Sequence, residues 1–118
     1  AEAKFSGGVT QADHGNIGGD RMGATQHNYA PTYAALLQPL VDGLLRPPVV
    51  AEIGILTGTG IAMWSEIFPH SNVFGFDKNL TSYFRNRNTL RARGLTPAQE
   101  ARLVVAPLDQ MEDNYGWL

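Results

Sequence analysis

The chain has no cysteine. Disulfide cross-links and thiol chemistry are excluded, while the compartment stays open. No apolar run approaches ~18 residues, so no segment is long enough to span a bilayer as a helix. Charge is scarce too: charged residues make up 17% and the net charge is −2. That removes any general attraction to nucleic acid or to an acidic membrane, and neither is expected as a partner. Three histidines, His14, His27 and His70, are scattered, and none stands at a ligand spacing, so no metal site is expected. There is no Ser-His-Asp arrangement, no phosphate-binding Lys-Ser/Thr loop and no zinc spacing. No signal peptide is visible, and the first residue is Ala1 rather than Met. We therefore expect a processed, trimmed or partial chain with a cytoplasmic location.

What remains is a chain of 118 residues, 43% of them apolar. That length suits one domain with a small core, and that composition suits a globular fold. Its organising stretch is Val49–Asp77. Val49, Val50, Ala51, Glu52 and Ile53 form a short apolar strand that contains an acid near its end. Gly54, Gly58 and Gly60 punctuate the turn that follows. A helical pattern then runs from Ile61 to Phe68 and stops at Pro69. Val73–Phe76 reads as a second strand that ends on Asp77. Strand, glycine-rich turn, helix and strand together make a βαβ unit. The glycines allow a tight turn and close approach of a ligand. The turn feeds a helix N-terminus, whose open N–H groups favour anionic or polar ligand atoms. Asp77 follows Gly60 by 17 residues. At a strand end it can accept both hydroxyls of a ribose.

A dinucleotide site usually shows G-x-G-x-x-G. Here the order is Glu52-Ile53-Gly54-x-x-x-Gly58-x-Gly60. In this the chain resembles the class I S-adenosylmethionine-dependent methyltransferases, and within them the macrocin-type O-methyltransferases of small molecules and sugars. The Glu-Ile-Gly opening and the Phe68-Pro69 ending of the first helix carry that likeness. So does Gly19-Asp20-Arg21-Met22 followed by His27 and Tyr29, with Arg21 where the family has lysine. The resemblance covers roughly residues 18–112. It implies S-adenosylmethionine as cofactor. Glu52, Gly54, Ile55, Gly58 and Gly60 would lie around its methionine part, Asp77 and Lys78 at the ribose, and Asp109 and Gln110 at the adenine. Glu52 would face the methionine ammonium or order the glycine turn; a structural strand-end acid is the other reading of it. Asp109 reads equally as a turn residue or helix cap. The family's metal-binding Asp-Asp and catalytic His follow a fourth strand, and no such motif occurs in this sequence. The catalytic residues stay unassigned, with His27 the one histidine considered as a base.

Around this unit, residues 1–30 form a glycine-rich arm or lid, and 31–118 the Rossmann-like domain. Residues 31–46 read as a helix, with Tyr33, Leu36, Leu37, Leu40, Leu44 and Leu45 in an apolar stripe. We expect that stripe to pack on the sheet, with a dimer face as the alternative. Pro39 is expected to kink or divide the helix. A third helix is expected over Thr81–Arg93, with Gly94 as its stop. Its arginines read as a solvated face rather than an anion-binding patch. Thr96-Pro97-Ala98-Gln99 has the form of a capping box, and Arg102–Ala106 reads as a third strand. The fold class is thus α/β: a Rossmann-like three-layer sandwich with parallel strands, incomplete beside a full seven-stranded methyltransferase. Expected partners are a small-molecule substrate and either a second copy or another chain covering the incomplete sheet. The expected function is O-methyl transfer to a small molecule or sugar. The alternative is a non-catalytic cofactor-binding or structural protein derived from a methyltransferase. A nucleotide-dependent oxidoreductase is disfavoured by the glycine order.

Overall fold

The computed structural model describes residues 28–43 and 46–109. The arm up to His27, Leu44 and Leu45, Gln110 and Met111 lie outside the described residues. Helix α1 spans Ala30–Gly43, β1 Val50–Ile53, α2 Thr59–Ile67, β2 Val73–Asp77, α3 Thr81–Ala92, α4 Pro97–Ala101 and β3 Leu103–Pro107. The three strands form one parallel sheet in the order β1-β2-β3, with Val50 opposite Val73 and Val73 opposite Leu103. This is the α/β architecture expected, an incomplete Rossmann-like sandwich. None of the helices is long and apolar enough to cross a membrane among the described residues.

Strand order fixes where the layers go. Consecutive parallel strands joined by crossovers of one hand carry both crossovers on the same face. Gly75 identifies that face, because a Cβ there would meet the side chains of Ile55 and Ile61. By the two-residue alternation of strands, Val50, Glu52, Val73, Leu103 and Val105 share it. Val50, Leu103 and Val105 pack there on a core of Ile55, Ile61, Ala62, Val73, Tyr83, Leu90 and Leu95. The opposite face carries Ala51, Ile53, Phe74, Phe76, Val104 and Ala106. All six are apolar, yet Ile53 is 51% and Val104 45% exposed. Among the described residues nothing covers this face, although parallel sheets are almost always covered on both.

One expectation for α1 needs correction. Its stripe is not sheet-facing core: Leu36 is 66% exposed and Leu40 43%. The helix-covered face is already filled by the crossover helices. Instead α1 touches α2 through Tyr33, whose ring meets Trp64 edge-on at 5.6 Å. Of the two effects expected of Pro39, a kink or a division, division does not occur: the helix runs unbroken from Ala30 to Gly43. The carbonyl that Pro39 leaves without its usual donor belongs to Ala35, an exposed residue whose carbonyl lies within reach of solvent.

The second crossover is locked by polar contacts. Thr96 and Gln99 form the reciprocal capping box, with Pro97 at the first helical position. Glu100 then accepts from Arg91 at 2.6 Å and from Arg87 at 3.1 Å, joining α4 to α3. The Arg102 guanidinium donates to the carbonyls of Ser65, Phe68 and Ser71, tying the start of β3 to the end of α2. Arg87, Arg91 and Arg102 are thus engaged within the chain.

Hydrogen bonding from Arg91, aided by Arg87, holds the Glu100 carboxyl at about 2, well below the ordinary 4.5. A carboxylate so depressed adds stability above its unfolded value and loses it as pH falls through the folded one. Both guanidinium groups are more than a third exposed, so solvent screening trims the gain. Glu100→Gln is therefore expected to lower the melting temperature by about 4 °C at pH 7. Calorimetric scans should show the gap narrowing through the acid range and vanishing only below pH 2. A gap unchanged over that range would contradict the assignment.

Candidate functional site

The carboxyl ends of the three strands converge with the glycine turn. Beyond β1 the Gly54 amide bonds the Phe76 carbonyl at 2.7 Å, which extends the ladder by one residue. Gly54 then turns with φ +82°, a left-handed conformation that favours glycine. Leu56 follows at φ +47°, rare for a residue with a branched side chain. What holds it there is Asp77: its Oδ2 accepts the Leu56 amide at 2.9 Å. The second oxygen of Asp77 accepts from the Asn79 amide at 3.3 Å. Asn79 in turn accepts from the Thr81 amide, starting α3. From the other side the Asn86 side chain donates to the Thr57 carbonyl at 3.0 Å. The turn is thus braced by one residue at the end of β2 and one on α3.

The three motif glycines do different things. A Cβ at Gly54 would meet nothing within 4 Å, so the backbone there stands open to an approaching ligand. Gly58 also has a left-handed φ, +83°, but its space is taken: a Cβ would come within 2.5 Å of the Tyr83 ring. Its glycine serves the packing of α2 against α3. Gly60 lies buried in the first turn of α2 and is not among the left-handed glycines, so it gives no turn freedom. Ile55 is buried in the core beneath β2, which leaves only its backbone near the surface of the turn.

Glu52 is 8% exposed and points to the helix-covered face. Its Oε2 accepts the Trp64 indole N–H at 2.8 Å. Lys78 is exposed beside Asp77. Leu108 donates its amide to the Asp77 carbonyl, so Asp109 follows directly at the end of β3, half-buried. Glu52, Asp77 and Asp109 therefore stand near the carboxyl ends of three adjacent strands. No family model matches the chain, and no curated protein matches it. The residues themselves carry what can be said of the site.

Sequence reasoning missed four of these participants. Leu56 gave no sign, since its type disfavours a left-handed φ. Tyr83 and Asn86 lie 25 or more residues beyond Gly58 and Thr57, the turn residues they brace. Trp64 packs against the core, and an indole N–H among apolar neighbours asks for an acceptor. A cavity of about 500 Å³ lies elsewhere, between α1, Pro47-Pro48 and Pro69–Ser71. It sits at the amino ends of the strands, away from the glycine turn.

The glycines invite a paired test. Gly58→Ala adds left-handed strain to a clash with a buried ring and is expected to cost about 3 kcal/mol. Gly54→Ala adds only the strain, about 1 kcal/mol. Urea unfolding of the two variants should show that ranking. Equal losses would mean that Tyr83 gives way.

Proposed function

We propose that this chain binds S-adenosylmethionine at the carboxyl ends of β1–β3 and serves an O-methyltransferase of small molecules or sugars. One observation carries the reading: Asp77 at the end of β2 is bonded to the glycine turn after β1, beside a Gly54 backbone with open space before it. Open α/β sheets bind ligands in that place, outside the carboxyl ends of their strands.

The residues suit the group. Strand ends lie about 4.8 Å apart, so the three span about 10 Å, a run suited to an extended nucleoside ligand. An ionised carboxylate has about four lone-pair sites, and the two Asp77 bonds leave capacity for ribose hydroxyls. Asp109 suits an adenine amino group, with Gln110 after it in sequence. Glu52 suits the ammonium of the amino-acid end. Gly54 admits the ligand backbone-close, while Gly58 holds the turn through helix packing and Gly60 lies buried at the start of α2. Lys78 offers a cation at the mouth. When bound, the cofactor supplies a methyl group already activated by the sulfonium charge. The chain's own task is therefore positioning, by which reactions gain most of what proximity can give.

Calorimetric titration with S-adenosylmethionine and S-adenosylhomocysteine tests this. We expect micromolar binding, weakened about tenfold or more in Asp77→Asn. That substitution keeps an oxygen acceptor for Leu56. A folded wild-type protein that binds neither ligand would refute the reading. Binding without methyl transfer to any acceptor would favour the non-catalytic alternative.

We also propose that a second copy covers the apolar face of the sheet. Its six side chains carry no charge, so two such faces are self-complementary about a twofold axis. Light scattering is expected to give a mass above the 12.8 kDa of one chain. Val104→Lys should return it to that of a monomer. A wild-type monomer would count against the proposal.

A further inference from the structure

The methyltransferase reading leaves one contact unused, the indole of Trp64 on Glu52. We propose that Trp64 is a positioning residue, setting the Glu52 carboxylate for the amino-acid end of the cofactor; the inference rests on the cofactor reading above.

The geometry comes from two elements. Glu52 sits one residue before the end of β1, and its side chain turns inward under α2. Trp64 lies midway along α2 and reaches back to Oε2 at 2.8 Å. The glutamate has three side-chain torsions, and a bond to one oxygen removes much of that freedom. Trp64 is itself held. Phe68, one helical turn on, stacks on its indole with centroids 6.3 Å apart, and Tyr33 of α1 meets it edge-on at 5.6 Å. The indole plane is therefore set by neighbours on two helices, and the indole in turn holds one oxygen of the carboxylate.

The choice of donor matters chemically. An arginine or lysine in this place would orient the carboxylate and also cancel its charge. An indole N–H is a neutral, donor-only group. It orients Glu52 and does not itself neutralise the anion that a ligand ammonium would meet. A purely structural indole would support the turn as a whole, and its loss would weaken every part of the ligand alike. A positioning indole affects the amino-acid end alone.

Two ligands separate these cases: S-adenosylhomocysteine, which carries the amino acid, and methylthioadenosine, which lacks it. In Trp64→Phe we expect about tenfold weaker binding of the first and no more than twofold change for the second, by calorimetry. Equal losses, or none, would overturn the proposal and leave the cofactor reading intact. A wild-type protein that binds neither ligand overturns both. A second measurement keeps Trp64 in place. The sequence has two tryptophans, so Trp117→Phe leaves one indole N–H resonance. That resonance should move with S-adenosylhomocysteine and stay put with methylthioadenosine. The same response to both ligands, whether a shift or none, would contradict the assignment.

Discussion

The hydrogen bond from the Leu56 amide to Asp77 joins residues 21 apart and closes the first crossover at its carboxyl end. The remaining contacts of the site are arranged about it. On one side it holds an exposed leucine in a backbone conformation that such a residue avoids, and so sets the path from Gly54 to α2. On the other, the same carboxylate reaches the Asn79 amide and with it the entry to α3. Strand β2 thus ends in one group that dictates the geometry of the loops on both its flanks. An acceptor confined to one loop could not link them. A carboxylate can, because it takes several donors at once.

This explains which parts of the molecule were legible in the sequence. The parallel strands, the turn and the capping box were readable because each is written locally: apolar runs of four or five, glycines, and Thr96 three residues before Gln99. Asp77 was readable as the acid that ends β2. Its contact with Leu56 was not, since only the β1–β2 pairing brings the turn to it. Gly58 shows the same limit. Spacing suggested a backbone cleared for a ligand, yet the space is filled by Tyr83, a residue of the next helix. The stripe on α1 failed for another reason. Periodicity says that one face is apolar but not what that face meets, and here the sheet had no room left on that side.

The sheet has two very different surfaces for the same reason. Both crossovers have one hand, so every core contact made by α2, α3 and α4 falls on one face. Strand alternation then sends Phe74, Phe76 and Val104 to the other, where they remain partly open among the described residues. The apolar composition of these short strands shows that they are built for burial on both faces. Sequence pattern alone registers that demand as a continuous apolar run. It does not say which residues go unmet.

Burial on one face and ligand access at one end place opposing demands on Glu52. Its position in the strand turns it inward, where an unpartnered carboxylate is costly. Its position near the strand end puts it where ligands of open sheets sit. An indole donor from α2 answers the first demand without removing the second, because it supplies a hydrogen bond but no countercharge. A fully apolar residue at 64 would leave that oxygen without this donor. Trp64 is held for that bond by its aromatic contacts with Tyr33 and Phe68. This gives α1, otherwise so exposed, a structural reason to lie where it does.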